Sequence, residues 1–487
     1  MKLLPSLLAA FLLNCHAPAG ERAIPLKNWV DRDWPRTLLH YDLEFGAGEF
    51  SENKTELLDG TPIPVPHQVA AVERHGNGSI KRARLSFYTG LKKGERLTFT
   101  LRSKDQPAAG NPQVSAKTNG NVMELANASA AIRIPAPGEK RFATPVEPGS
   151  VPAPILGFRL ADGTWAGKGW IESEQKVTRF SQAAVADGPL YKEYAYEIRF
   201  AAAEAGGSEG HYKVRVRIEA GQSVVHVAEE FDMGRATVGR DFFVLALNAG
   251  WKADTSLWTS WVKPEGATEV QSRGSRADDM GLFSEKLSFT EERTQARFYP
   301  WRDYETKANI YGLFDSAGAR ESPFVGLVSQ QVGAWRLPDT ALSPIVWTKA
   351  GEVLAKMRLS TNAQGTPMNL FSTAQIDPDL PQTLGRRVWL LTLGTRPAPD
   401  AAKKLDVARL DTLRNYDGFI SLNDYKDWVL TWPEQELARP RVFSTPDALA
   451  RLKANLDRCP GREAITIPTS AGRASLPAAS CLVMRRE

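Results

Sequence analysis

The chain has 487 residues, 42% of them hydrophobic and 24% charged, an ordinary globular composition with material for two or three domains. Its 61 basic and 56 acidic residues leave a net charge of +5, too small a surplus over this length to argue for a nucleic-acid or membrane partner. An anionic polysaccharide is compatible with that balance but not required by it.

The N-terminus reads as an export signal over residues 1–19. Lys2 supplies a short positive end, Leu3–Leu13 is an apolar run, and Ala17-Pro18-Ala19 is a small-residue cleavage motif. Cleavage after Ala19 and a periplasmic or secreted product are the expectation. Cys15 opens the alternative of a lipid-modified end. The apolar run is too short to span a bilayer, and no later segment is apolar enough, so no stable membrane insertion is expected. Cleavage would leave only Cys459 and Cys481, so the body of the protein has no disulfide framework, cysteine nucleophile or thiolate metal site.

Residues 24–105 read as a small β domain. Leu38–Phe45, Lys81–Tyr88 and Leu97–Leu101 alternate as strands, separated by turns at Gly46-Ala-Gly48, Gly76-Asn-Gly78 and Lys93-Gly94. Residues 105–112 and 135–154 are rich in proline and glycine and read as connections. Residues 112–398 then predict a large antiparallel β-sandwich, since helical patterns are nearly absent. Its clearest part is His211–Glu219, where Tyr212, Val214, Val216 and Ile218 alternate with Lys213, Arg215, Arg217 and Glu219. Gly221-Gln222 turns the chain, and Ser223–Phe231 alternates again through Val225, Val227 and Phe231. Gly157–Leu160, Tyr194–Phe200, Asp241–Leu247, Ser322–Ser329 and Arg387–Leu393 are further strand candidates.

The pattern changes at about residue 399, and residues 399–461 predict a helical segment. Ala401–Tyr416 reads as one helix. Ser421–Trp432 reads as another, with Tyr425, Trp428, Val429 and Trp432 on one face. A third starts at Thr445 with Pro446 at its first position, and its stripe is Leu449, Leu452 and Leu456. Residues 462–487 read as an irregular tail with no helical period. A shifted reading frame would account for it, and the chain would then be a truncated product.

The candidate chemistry is mostly aromatic. Trp258 and Trp261, with Trp251 nearby, form one cluster; Arg297, Tyr299, Trp301 and Arg302 form another. Indole faces stack on sugar rings and guanidinium forks bind carboxylates, so these six residues are the carbohydrate-binding candidates; filling a sandwich core is the other reading. No histidine pair has metal spacing, so neither a metal site nor a cofactor is expected. His67 and His75 flank a hairpin and either meet at a site or are two loop histidines in water. Lys213, Arg215 and Arg217 read as a solvated sheet face. Glu229-Glu230 and Asp278-Asp279 read as adjacent acids on opposite strand faces, both at the surface.

Two stretches carry a family resemblance. Arg439-Pro-Arg-Val-Phe-Ser-Thr-Pro-Asp-Ala-Leu-Ala-Arg-Leu-Lys453 resembles the opening of the α/α-toroid in heparinase II/III-like and alginate-lyase-like polysaccharide lyases. Val65-Pro-His-Gln with His75-Gly-Asn-Gly-Ser-Ile-Lys-Arg-Ala-Arg84 is similar to the N-terminal β domain of rhamnogalacturonan-exolyase-like proteins. The resemblance implies a parent enzyme that cleaves an acidic polysaccharide by β-elimination. This chain would be its non-catalytic front part, without the toroid that carries most catalytic groups. Two alternatives stay open: a complete carbohydrate-binding or surface-assembly module without chemistry, and a mutarotase-like or glycosidase-like enzyme with its site on the large sandwich. The sequence marks neither the oligomeric state nor the polymer.

Overall fold

The computed structural model describes residues 20–27, 34–52, 54–92, 94–104, 113–203, 206–234, 241–260, 268–272, 281–290, 292–297, 310–317, 322–329, 345–359, 385–395, 464–469 and 472–477. Every strand pairing among them is antiparallel, and they include no α-helix, only a 3-10 turn at Pro148–Ser150. The three predicted helices fall between residues 396 and 463, outside the described residues. The chain divides into two compact units, one up to Gly110 and one from Asn111.

The first unit holds β1 (Glu21–Lys27), β2 (Trp34–Glu44), β3 (Thr55–Leu58), β4 (His67–Arg74), β5 (Ile80–Leu91) and β6 (Arg96–Ser103). They form two three-stranded sheets, β1-β6-β3 and β2-β5-β4. Strand β5 shows why: Ala83 and Leu85 are buried while Arg82 and Arg84 beside them are exposed, the two-residue period of a half-buried strand, and from Leu85 to Tyr88 both faces are buried. Phe87 of one sheet meets Phe99 of the other with ring centroids 4.6 Å apart.

The second unit begins with β7 (Ser115–Asn119), β8 (Val122–Ala126), β9 (Ala131–Pro135), β10 (Gly138–Val146), β11 (Gly157–Arg159), β12 (Trp165–Ala166) and β13 (Lys168–Glu172). It continues with β14 (Val177–Asp187), β15 (Tyr191–Phe200), β16 (Gly210–Glu219), β17 (Val224–Asp232), β18 (Phe242–Ala246), β19 (Thr255–Ser260), β20 (Thr268–Ser272) and β21 (Gly281–Lys286). The last strands are β22 (Arg293–Arg297), β23 (Ile310–Phe314), β24 (Pro323–Ser329), β25 (Ile345–Lys349), β26 (Glu352–Arg358), β27 (Gly385–Thr395), β28 (Ala464–Thr469) and β29 (Gly472–Pro477). They build an eleven-stranded sheet, β10-β14-β15-β16-β17-β27-β24-β23-β19-β21-β20. Two five-stranded sheets accompany it, β12-β11-β9-β8-β7 and β13-β18-β26-β25-β22.

The core lies between these sheets. Tyr196, Tyr212, Val214, Val216 and Ile218 of the large sheet are buried, and Tyr212 packs on Phe243 of β18 with ring centroids 6.4 Å apart. Phe243, Leu245, Ala355 and Met357 form the facing surface, each fully buried. The Tyr196 hydroxyl is sunk in this layer and donates to the Pro152 carbonyl at 2.8 Å; burial pushes it far above its ordinary range. Gly221 turns β16 into β17 with a φ of +68°, a conformation that costs glycine little. The large sheet ends on one side at β10, where Glu139, Lys140 and Arg141 are exposed.

Two readings need correction. Glu229 is not at the surface but 3% exposed, because it shares the core parity of Val225, Val227 and Phe231; its neighbour Glu230 does point outward. Asp278 and Asp279 lie outside the described residues. In the tail read as irregular, β28 and β29 pair with each other, Ile465 opposite Leu476 and Ile467 opposite Ala474. That stretch alternates over only a few residues, and a lone two-stranded hairpin has little to stabilise it.

Candidate functional site

Of the six aromatic and arginine candidates, only Trp258 and Arg297 have backbones among the described residues. The backbone of Trp258 lies in β19 of the eleven-stranded sheet, opposite Phe283 and Tyr311. That of Arg297 lies in β22 of a five-stranded sheet, opposite Ile345. Trp261, Tyr299, Trp301 and Arg302 lie outside the described residues. Trp251 donates its indole N–H to the Leu247 carbonyl at 2.7 Å, which ties it to the backbone.

The histidines are also held in place. His67 uses both ring nitrogens, Nδ1 with the Val65 carbonyl at 3.0 Å and Nε2 with Thr55 Oγ1 at 2.9 Å. A carbonyl only accepts, so Nδ1 carries the proton and Nε2 accepts from the threonine hydroxyl. Burial pushes this imidazole below its ordinary range, with the Val65 carbonyl opposing the shift. His75 contacts the Phe45 carbonyl through Nε2 at 2.9 Å. The two histidines flank the ends of β4, and at roughly 3.3 Å per strand residue they are too far apart to share a ligand atom.

The outer face of the sheet β13-β18-β26-β25-β22 brings together aromatic and charged groups. Register pairs Trp170 with Val244 and, across β18, Val244 with Lys356; it likewise pairs Glu172 with Phe242 and Phe242 with Arg358. Trp347 of β25 stands opposite Leu354. Val244, Ala246 and Leu354 form a buried apolar floor, against which Trp170 and Phe242 pack half-buried. The Lys356 ammonium stands 5.3 Å from the Phe242 centroid, 5.5 Å from that of Trp347 and 3.6 Å from Glu172 Oε2. Arg358 lies 5.6 Å from the Phe242 centroid, and Glu172 Oε1 accepts the Trp170 indole N–H at 2.9 Å. The Trp347 indole N–H is buried and meets no acceptor among the described residues. Three aromatic rings and two cations thus line one sheet face. Such a set presents flat apolar surface, donors and positive charge to a polar ligand.

Sequence reasoning missed these residues. The signal was present within strands, since Leu354, Lys356 and Arg358 alternate with buried Val353, Ala355 and Met357. It was absent between strands, because only register brings Trp170, Phe242 and Trp347 to one face.

Other charged groups are tied into the fold. Glu229 accepts from the Tyr212 hydroxyl at 2.6 Å and the Trp389 indole N–H at 2.7 Å. Asp254 accepts from the Ser316 N–H, the Ser316 hydroxyl and the Thr255 hydroxyl, each at 2.8 Å, and from Lys286. Burial raises its pKa, but these four donors outweigh burial and hold the carboxyl well below the usual range. It thereby fastens the ends of β19, β21 and β23.

No protein-family model matches the chain, and no curated protein matches it. Among solved structures it is similar to a glycosyl hydrolase family 38 protein from Enterococcus faecalis at 8% identity, with a TM-score of 0.43 and coverage of 81% of this chain and 46% of that one. It is also similar to an α-mannosidase from Enterococcus faecalis V583, at 7% identity, a TM-score of 0.38 and coverage of 81% and 45%. A GH36 α-galactosidase from Geobacillus stearothermophilus matches at 8% identity, with a TM-score of 0.26 and coverage of 58% and 41%. The chain spans less than half the length of these proteins, and likeness at this level says nothing of activity. The polysaccharide-lyase resemblance is overturned: these matches are to glycoside hydrolase family proteins, not to toroid lyases. Its longer motif, residues 439–453, lies outside the described residues. Its other motif is hairpin chemistry, with Gly78 at φ +83° and Asn77 Oδ1 accepting the Ser79 N–H at 3.0 Å.

Proposed function

We propose that the second unit is a carbohydrate-binding module that takes a saccharide on the outer face of the sheet β13-β18-β26-β25-β22. The observation that carries this reading is the grouping of Phe242, Trp347 and Glu172 around Lys356, with Trp170 joined through Glu172 and Arg358 at the margin. Sugar rings offer apolar C–H faces to aromatic rings and hydroxyls to charged side chains, and this face supplies both. Export to the periplasm or beyond is part of the proposal, carried by Lys2, Leu3–Leu13 and the Ala17-Pro18-Ala19 motif.

The test is a glycan panel on the full chain, followed by titration calorimetry of the strongest binder with Trp347→Ala and Lys356→Met. The expected result is at least a tenfold loss of affinity in both variants, with circular dichroism showing each still folded. Wild-type affinity in folded variants, or no glycan bound at all, would overturn the reading.

A further inference from the structure

We infer that the outer face of the other five-stranded sheet, β12-β11-β9-β8-β7, is a separate binding site for an oxyanion. The ligand is the carboxylate or sulfate group of an acidic saccharide, held by Arg133 and Arg159 over Trp165.

Alternation fixes which residues share this face. Leu125, Ile132, Ile134 and Phe158 are fully buried on the inner side, so Glu124, Arg133, Arg159 and Trp165 fall on the outer one. Register sets Glu124 opposite Arg133, Arg133 opposite Gly157, and Arg159 opposite Trp165. Lys117 stands opposite Glu124 on the far side. The Arg133 guanidinium lies 3.8 Å from the Trp165 ring centroid. Strand β11 lies between their two strands, so the side chains meet above it. A Cβ on Gly157 would lie 3.0 Å from the Ala166 carbonyl oxygen, so glycine permits the close approach of β12.

The important feature is what Arg133 lacks. Among the described residues no hydrogen bond or ion pair engages its guanidinium, which lies over the indole. Glu124, the carboxylate opposite, reaches instead toward Arg159, and only at 4.0 Å. Lys117 is exposed and likewise has no ion-pair partner among the described residues. Three cations therefore face one loosely held carboxylate. Stacking orients the Arg133 plane in advance and leaves its five N–H donors for a ligand, so less freedom is lost when an oxyanion takes a bidentate grip. A planar carboxylate and a tetrahedral sulfate both fit that fork.

This extends the saccharide reading but stands on different residues, and the test separates the two. The full chain is titrated with galacturonate oligomers and with galactose oligomers of equal length, at constant ionic strength, for the wild type, Arg133→Gln and Trp347→Ala. The expected result is that Arg133→Gln weakens the acidic oligomer at least tenfold and leaves the neutral one unchanged. Inorganic sulfate should compete with the acidic oligomer where chloride at equal ionic strength does not. If Arg133→Gln binds the acidic oligomer like wild type, or loses both oligomers equally, the oxyanion site is overturned. If instead Trp347→Ala binds both like wild type while Arg133→Gln loses only the acidic one, the aromatic face falls and the oxyanion site stands. Because Gln keeps most of the side-chain bulk on a partly exposed position, the variant is expected to fold; a Trp165→Phe variant, which keeps a stacking ring, should retain most acidic binding.

Discussion

The outer faces of two sheets in the second unit are both rich in basic residues, yet they are built on opposite terms. On the eleven-stranded sheet the cations have acids beside them. Arg179 meets Glu139 at 3.1 Å, Lys213 meets Glu230 at 3.2 Å, Arg215 meets Glu193 at 3.7 Å, and Arg217 meets Glu219 at 2.9 Å. On the sheet β12-β11-β9-β8-β7, Arg133 has an indole where the others have a carboxylate. The difference teaches that basic content alone does not set what a surface offers a ligand; whether its charges are already paired does. Cross-strand pairs of opposite charge each contribute a fraction of a kcal/mol and spend their charge on the fold. An arginine stacked on a ring keeps its hydrogen-bonding capacity open.

Removing a matched partner from the core should have the largest effect. Glu229→Ala leaves the Tyr212 hydroxyl and the Trp389 indole N–H without their acceptor in a buried layer. At about 1–3 kcal/mol for each unsatisfied group, a loss of about 3 kcal/mol or more is expected in urea denaturation, with Glu229→Gln recovering part of it. A loss below about 1 kcal/mol would mean that this layer tolerates unmatched groups, and the contrast between the faces would weaken.

A smaller effect is expected at His67, whose two ring nitrogens are both engaged. Its imidazole is depressed in the folded chain, so the folded state takes up a proton less readily than the unfolded one. Its contribution is thus fully present above the unfolded value, near 6.5, and is lost as pH falls below it. The unfolding midpoint of the first unit should drop between pH 7 and pH 5, and His67→Asn should flatten that slope. An unchanged slope would show that the ring does not titrate with folding.

The smallest effect belongs to the paired outer face. Arg215 is 64% exposed beside Glu193. Arg215→Gln should change stability by no more than about 0.5 kcal/mol and leave acidic-oligomer binding intact. A loss of binding like that of Arg133→Gln would erase the distinction between the faces.

Much of the fold was legible in the sequence, and the candidate site was hardly so. The hairpin His211–Phe231 could be read directly, because Val214, Val216 and Ile218 recur at a period of two and Gly221 marks the turn. Glu229 was legible too, since it has the same parity as Val225, Val227 and Phe231; its charge drew the reading to the surface against its position. The aromatic face could not be read, because Trp170, Phe242 and Trp347 meet only through pairings between strands far apart in the chain. Closeness in sequence, as for Trp258 and Trp261, is a signal of another kind and says nothing of register.

The edge strand β10 has a bearing on solubility. An open sheet margin presents unpaired N–H and C=O groups, and a second chain could add to them strand by strand. Here that margin carries Glu139, Lys140 and Arg141, all exposed. An incoming strand would have to bury charges of both signs to dock. The three residues act as gatekeepers: the same eleven-stranded sheet with a valine-rich β10 would be a template for filament growth.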